Sequence, residues 1–298
     1  VKVACVILLE KSISEHYPED WSKSFMAVQP RKASAILLLR KVADDQPVEV
    51  FMVRRVIQSD FMPDVYVFPG GSVNADDLTS EQTVDICKEV TSGPFDPDGR
   101  TTLGLGVRAA AIRELFEEAG VLLAYQDTQM LVIDEENRTR FAAYRQAFNE
   151  RKGSLVEMAR AEHLILATER LNYFAHWITP EGLPKRFDTH FFLTTVPEGQ
   201  QASYDQLETS EGIWIAPGEA LARSERNEFP LVFATIHQLR ELAAFVSLEE
   251  ALTSTSSSYV QTHQPVLVAR EDGQSQVHLP GQTEDRWTVP GHMTRPPE

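Results

Sequence analysis

Cysteine is nearly absent: Cys5 and Cys87 are the two thiols in 298 residues. Two thiols so far apart make neither a disulfide framework nor the paired spacing of a zinc site, and they fit a reducing compartment. Cations are also scarce. Lys and Arg number 28 against 44 Asp and Glu, a net charge of −16, which argues against a general binder of nucleic acid or anionic membrane. Any anionic ligand must then be met by a metal and a local basic patch. Long apolar runs are missing as well. The opening Val1–Leu9 is apolar but too short to span a bilayer, and it lacks a signal-peptide cleavage pattern. No internal repeat is visible. What is present is 42% apolar and 24% charged, the composition of a globular protein with a full core, long enough for one large domain or two small ones.

One stretch is dense in acid. Arg113-Glu114-Leu115-Phe116-Glu117-Glu118-Ala119-Gly120-Val121 is patterned as a helix closed by glycine. A helix turns 100° per residue, so positions 114, 117 and 118 share one face. Ile112, Leu115, Phe116 and Ala119 make an apolar face that would hold the helix to a core. Three carboxylates on little more than one turn repel one another by a few tenths of a kcal/mol per exposed pair, about 0.2–0.5. A hard divalent ion, Mg²⁺ or Mn²⁺, would turn that repulsion into ligation, because such ions prefer oxygen donors. Taken alone, E-x-x-E-E describes a solvated acidic face more often than a metal site.

Upstream, Val67-Phe68-Pro69-Gly70-Gly71 runs a β-rich strand into a glycine bend, where backbone can approach a ligand closely. Together the two features resemble the Nudix box: glycine, five residues, glutamate, seven residues, then Arg-Glu-apolar-x-Glu-Glu-x-Gly-apolar. Arg113, Glu114, Leu115, Glu117, Glu118, Gly120 and Val121 match every fixed position of its second half. The first half departs. Counted from Gly71, the arginine belongs at position 85 but stands at 113, so 28 extra residues intervene. The earlier glutamate, counted back from Arg113, falls on Leu105. The stretch from Asn74 to about Gly106 is rich in Asp, Thr, Gly and Pro and reads as a surface excursion with a short helix near Glu81–Val90.

The likeness narrows. Arg54-Arg55, then Phe61-Met62-Pro63, then the Phe-Pro-Gly-Gly turn is similar to the peroxisomal coenzyme A diphosphatase branch of the Nudix family, which also carries an interrupted box. Trp177-Ile178-Thr179-Pro180, Arg186-Phe187-Asp188-Thr189-His190-Phe191-Phe192 and Trp214-Ile215-Ala216-Pro217 continue it, so it covers roughly 33–250. The resemblance implies an α/β fold, a Nudix-type α/β/α sandwich with a mixed sheet. It also implies a metal-dependent hydrolase that splits coenzyme A or acyl-CoA into 4′-phosphopantetheine and adenosine 3′,5′-bisphosphate. An ADP-ribose or NADH-type diphosphatase is the alternative with the same chemistry. A non-catalytic Nudix-fold binding module is the alternative of another class, which the intact acid cluster disfavours.

On this reading Glu114, Glu117 and Glu118, with the Gly70 carbonyl, hold one to three Mg²⁺ or Mn²⁺ ions. Arg113, four residues before Glu117, braces the cluster. Glu117 or Glu211 orients or deprotonates the attacking water; Glu208 and Glu211 share one polar loop, and Glu211 is the expected late-loop acid. Arg54, Arg55, Lys185 and Arg186 are the expected phosphate contacts, since the guanidinium fork suits phosphate. Phe61 and Met62 would flank the pantetheine arm. His190, inside an aromatic strand, reads as a hydrogen-bonded wall residue rather than a metal ligand. The expected partner is a small-molecule nucleotide, with no nucleic acid and no membrane; a homodimer is implied by resemblance alone. The chain ends Pro296-Pro297-Glu298 rather than in a Ser-Lys-Leu address, which gives a cytoplasmic expectation.

The organisation follows. Residues 1–32 form an N-terminal segment with a candidate strand at Val3–Leu9 and a turn and helix at Tyr17–Met26. Residues 33–253 form the hydrolase domain, with its insertion at about 74–106, and 254–298 a linker and C-terminal extension. Strands are expected at Ala33–Arg40 and Val48–Arg55, joined by Asp44-Asp45-Gln46-Pro47, and at Val65–Phe68, Leu171–Ile178, Phe187–Val196 and Gly212–Ile215. Helices are expected at Asn137–Arg151, Leu155–Glu162, Pro217–Arg223, Leu231–Phe245 and Leu248–Leu252. The Ser/Thr run 253–258 reads as a linker, followed by a small β extension at Val266–Arg270, Gln276–Leu279 and Arg286–Val289.

Overall fold

A computed structural model describes residues 28–41, 43, 47–59, 61–82, 85–91, 104–257, 259–282 and 284–291. The elements expected at Val3–Leu9 and Tyr17–Met26, the Asp44–Gln46 turn and the polar C-terminal end lie outside these residues. Strand β1 (Arg31–Arg40) is the centre of the molecule. Its alternate side chains point to opposite faces. Ile36 and Leu38 enter one core, and Leu37 and Leu39 enter the other. A strand buried on both faces reads as a continuous apolar run, which is how Ala33–Leu39 reads.

Around it lie β2 (Glu49–Arg55), β3 (Tyr66–Val67) and β4 (Gly70–Ser72), followed by helices α1 (Ala75–Gln82) and α2 (Leu105–Ala119). A small antiparallel sheet is made by β5 (Ala124–Gln126), β6 (Gln129–Met130) and β7 (Leu164–Leu166), with α3 (Arg138–Asn149) and α4 (Leu155–Ala161) inserted before β7. The main sheet is completed by β8 (Asn172–Ile178), β9 (Phe187–Thr195) and β10 (Thr209–Ile215). Then come α5 (Pro217–Glu225), α6 (Phe233–Ala243), α7 (Leu248–Ser257) and the edge strand β11 (Thr262–His263). A last antiparallel sheet holds β12 (Val266–Ala269), β13 (Ser275–His278) and β14 (Trp287–Val289). The main sheet runs β10-β2-β1-β9-β8-β11, with β3 on β2 and β4 on β1. The pairs β1–β9 and β8–β11 are parallel and the others antiparallel.

Helices cover both faces, so the fold is the expected α/β/α sandwich with a mixed sheet. On one face Ile112, Leu115, Phe116 and Ala119 of α2 are fully buried, and Phe116 meets Phe141 and Phe148 of α3 edge-on. On the other, α5–α7 and the last sheet share a core with Phe174, Ala175 and Trp177. Gly120 ends α2 at φ 69°, the left-handed cap that glycine adopts without steric cost.

Two expectations need correction. The short helix near Glu81–Val90 lies earlier, at Ala75–Gln82, and the chain beyond it is not a surface excursion throughout. Ile86 and Cys87 are buried, and the backbone of 86–88 pairs with Leu166. The Ser/Thr run after Leu252 is helical through Ser257. Its hydroxyls turn back onto carbonyls of the preceding turn, Thr253 to Glu249 (2.8 Å), Ser254 to Ala251 (3.0 Å) and Thr255 to Leu252 (2.8 Å). That back-bonding lets short polar residues continue a helix they would otherwise leave.

Candidate active site

The acidic face of α2 lies against the glycine bend. Glu118 Oε2 accepts a hydrogen bond from the Gly70 amide at 3.0 Å. A Cβ added to Gly71 would sit 2.5 Å from Glu114 Oε1, and one added to Gly70 would sit 2.4 Å from Ala35 Cβ. At 70 the backbone of the neighbouring strand leaves no room for a side chain, and at 71 a side chain would displace the Glu114 carboxylate. The sandwich brings bend and acids together: β4 pairs with β1, and α2 packs across the same strand. Arg145 of α3 fixes the helix end, donating to the Glu117 carbonyl (2.8 Å), the Glu118 carbonyl (3.0 Å) and the Ser203 carbonyl (2.6 Å). A cation on the last carbonyls of a helix also complements its dipole. Nothing in the sequence marks Arg145 for this task, because its targets are backbone atoms of a distant segment.

Arg113 donates to two of the three acids and to two further partners. Its Nη1 donates to Glu114 Oε1 and Glu117 Oε1, each at 2.9 Å, and Nη2 donates to the Ser72 carbonyl at 2.9 Å. Its other partner is Asp77, which takes Nε at 2.8 Å and Nη2 at 2.9 Å. This corrects the reading of the interrupted pattern. The early acid does not fall on Leu105 but on Asp77, the sixth residue after Gly71, with aspartate in place of glutamate. The extra residues follow Asp77 instead of preceding the acid. Counting forward from the glycine, rather than back from the arginine, would have found it.

Burial dominates the electrostatics. Desolvation pushes the Glu114 carboxyl up to about 8, against the pull of Arg113, and Glu117 adds repulsion. Glu117 is raised for the same reason, again against Arg113. Glu118 is raised well above the carboxylate range by burial first and by Glu114 second, with Arg55 and the Gly70 amide opposing. Without a cation these buried acids favour their protonated form, and a bound cation would compensate the cost of ionising them. Ser34 Oγ, fully buried beside Gly71 and lining the same cavity, has no hydrogen-bond partner among the described residues. A charge-rich, all-oxygen donor set of this kind fits a hard divalent cation.

The cluster lines a cavity of about 690 Å³. One side is polar: Arg55, Arg113, Glu114, Glu117, Glu118, Glu208. The far side is apolar, built from Trp177, Phe191 and Phe233 and closed by Val277, Trp287 and Val289 of the last sheet. Phe61 and Met62 line it too, Phe61 edge-on to Phe187 at 5.0 Å. A second chamber of about 410 Å³ shares Arg31, Arg55, Phe61, Arg151 and Glu208 with the first and adds Lys185 and Arg186. Arg186 is mostly spent on backbone, donating to the Thr179 carbonyl (3.0 Å) and the Val28 carbonyl (2.9 Å). Arg55 is held at the rim by Ser59 Oγ (2.7 Å) and the Phe61 carbonyl (3.2 Å).

Two expected residues lie elsewhere. Arg54 and Arg55 are neighbours on β2, so they point to opposite faces. Arg54 bonds Asp64 at 2.8 Å and lies over the Tyr66 ring. Glu211, opposite Arg54 in register, accepts from the Tyr66 hydroxyl at 2.6 Å. Neither lines either cavity. Glu208, in the loop just before β10, lines both and adds to the repulsion on Glu117 and Glu118, whereas Glu211 is in the strand itself rather than in the expected loop.

Residues 98–242 match the family model described as the NUDT19 Nudix domain. The chain is 26% identical over 259 residues to the acyl-coenzyme A diphosphatase NUDT19 of Xenopus laevis, covering 76% of this chain and 68% of that protein. It is 26% identical over 274 residues to the human protein of the same name, covering 78% and 72%. It is 27% identical over 216 residues to the putative nudix hydrolase 7 of Caenorhabditis elegans, covering 72% and 60%. Among solved structures, a NUDIX hydrolase from Alicyclobacillus acidocaldarius superposes with a TM-score of 0.62 at 23% identity, covering 77% of this chain and 98% of that one.

Proposed function

Since the chain belongs to the Nudix hydrolase family and resembles its coenzyme A diphosphatase branch, we propose that it hydrolyses the diphosphate bridge of coenzyme A or an acyl-CoA, with Mg²⁺ or Mn²⁺ bound on α2. The observation that carries this is the pairing of a buried acid cluster with an apolar far wall in one cavity. A diphosphate joined to a long, weakly polar arm has the matching asymmetry.

Glu114, Glu117 and Glu118 would hold the ion, which when bound neutralises diphosphate charge and lowers the pKa of water. Arg113 keeps Glu114 and Glu117 on one side of the helix. Arg55, preset by Ser59 and Phe61, donates its fork to a phosphate oxygen. Glu208 accepts the proton of the attacking water, being the late-loop carboxylate that faces the cavity. The pantetheine arm lies along Trp177, Phe191 and Phe233, between Phe61 and Met62, and carries an acyl chain on toward Trp287. The chamber with Arg31, Arg151, Lys185 and Arg186 receives the phosphorylated nucleoside end.

The test is mass spectrometry of products from coenzyme A incubated with the purified chain, Mg²⁺ and ¹⁸O water. The expected products are 4′-phosphopantetheine and adenosine 3′,5′-bisphosphate, one carrying a single ¹⁸O. Turnover of ADP-ribose or NADH with coenzyme A untouched would move the substrate to the nucleotide sugars and dinucleotides. No turnover of any diphosphate would end the reading.

A further inference from the structure

We propose that His176, Asp188 and His190 form a second metal centre, separate from the acids of α2, that takes a borderline first-row ion of the Zn²⁺ class. Asp188 and His190 are two residues apart on β9, so their side chains leave the same face of the sheet. His176 on β8 is directly opposite His190 in register, the position from which a side chain reaches its cross-strand neighbour. The donor atoms of the three all lie within 4.8 Å of one another. None of the three lines the cavity that holds Glu114, Glu117 and Glu118.

The imidazoles are aimed. His176 Nε2 is 2.5 Å from Asp188 Oδ1 and His190 Nε2 is 3.8 Å from the same atom. The rings stack at 4.2 Å, nearly parallel. Each Nδ1 is held by a hydroxyl: Thr262 Oγ1 for His176 and the Tyr173 phenol for His190, both at 2.8 Å. A hydroxyl can donate or accept. Either ring can therefore shift its proton to Nδ1 and present a bare Nε2 lone pair without losing its orienting bond, the usual outer-shell arrangement of a metal-binding histidine. Zn–N bonds of about 2.0–2.1 Å in a tetrahedron put donors roughly 3.4 Å apart, so side-chain rotations close the site.

Two imidazoles and one carboxylate suit Zn²⁺, Co²⁺ or Ni²⁺ better than Mg²⁺. Three protein ligands at the partly exposed end of the sheet leave a fourth position for water. Because Thr262 belongs to β11, a bound ion would also pin the strand that leads into the last sheet. Lys32 stands opposite Asp188 on β1 and opposes a cation there, which supplies a second test.

The experiment titrates Co²⁺ into the chelator-treated full chain in excess Mg²⁺, which fills the carboxylate site, and reads visible absorption. Wild type should show one equivalent with imidazole ligation. His176→Ala should abolish it, and Thr262→Val, which removes only the orienting hydroxyl, should weaken it about 10–100-fold. Lys32→Met should tighten it, and Glu114→Gln should leave it unchanged. Thermal unfolding of each metal-free variant checks that it folds, and Thr262→Val and Lys32→Met carry the test if His176→Ala does not. No imidazole-bound Co²⁺ in wild type, or equal affinity in Thr262→Val, Lys32→Met and wild type, would show a hydrogen-bond network only and overturn the proposal.

Discussion

Asp77 grips Arg113 through both carboxylate oxygens, taking Nε at 2.8 Å and Nη2 at 2.9 Å. The pair ties α1, where the inserted stretch begins, to the helix that carries the acids, across 36 positions of sequence. Asp77 is fully buried and Arg113 nearly so. Removing the Asp77 charge leaves a buried guanidinium short of a partner, and breaking such a pair costs about 3–5 kcal/mol. Arg113 keeps Glu114 and Glu117, so Asp77→Asn should cost about 3 kcal/mol, read from urea unfolding. It should also lower kcat more than it raises KM, because the bracing of Glu114 and Glu117 loosens.

Glu114→Gln should abolish Mg²⁺ binding, read by calorimetry, and lower kcat more than about 100-fold, since losing a residue that merely orients a ligand already costs about 10–100-fold. Metal-free, the variant should melt no lower than wild type, because it removes a charge that burial disfavours. A variant that binds Mg²⁺ as wild type does would remove Glu114 from the ligand set.

The same burial gives a pH dependence. Glu114 in the metal-free fold titrates near 8 against an ordinary 4.5, so between those values the folded chain binds more protons than the unfolded one. Its contribution to stability is fully present below about pH 4.5 and is lost as pH rises through about 8. Metal binding requires the deprotonated form. The rise in Tm on adding Mg²⁺ should therefore be larger at pH 8 than at pH 6, and Glu114→Gln should flatten the metal-free slope. A Mg²⁺ effect that shrinks toward pH 8 would contradict this.

Glu208 and Glu211 should separate cleanly. Glu208→Gln should lower kcat about 10²–10⁴-fold, the range for loss of a general base. Glu211→Gln should cost about 1–2 kcal/mol of stability through its bond to Tyr66 and leave kcat within a few-fold. The reverse pattern would restore Glu211 as the base.

The apolar wall predicts chain selectivity. Trp287→Ala should raise KM for a long-chain acyl-CoA about tenfold, the loss of one to two buried methylenes' worth of contact. KM for free coenzyme A should barely change. Equal effects on both would take Trp287 out of the acyl chain's path.

Local periodicity alone sets the acidic and apolar faces of α2, its glycine stop, the doubly buried β1 and the glycine bend. Those follow from 100° and 180° repeats acting within a few residues. It could not decide what meets across the fold. Arg54 and Arg55 look alike in sequence, yet one strand pleat sends Arg55 to the cavity and Arg54 to Asp64. Glu208 and Glu211 are near neighbours in sequence, yet Glu208 precedes β10 and faces the cavity while the register of β10 hands Glu211 to Tyr66. Asp77 and Arg113, or His176 and Asp188, become partners only when strands and helices from distant parts of the chain are packed. Charge and hydrogen-bonding chemistry act over a few ångströms of space, and only the tertiary structure converts sequence separation into that distance.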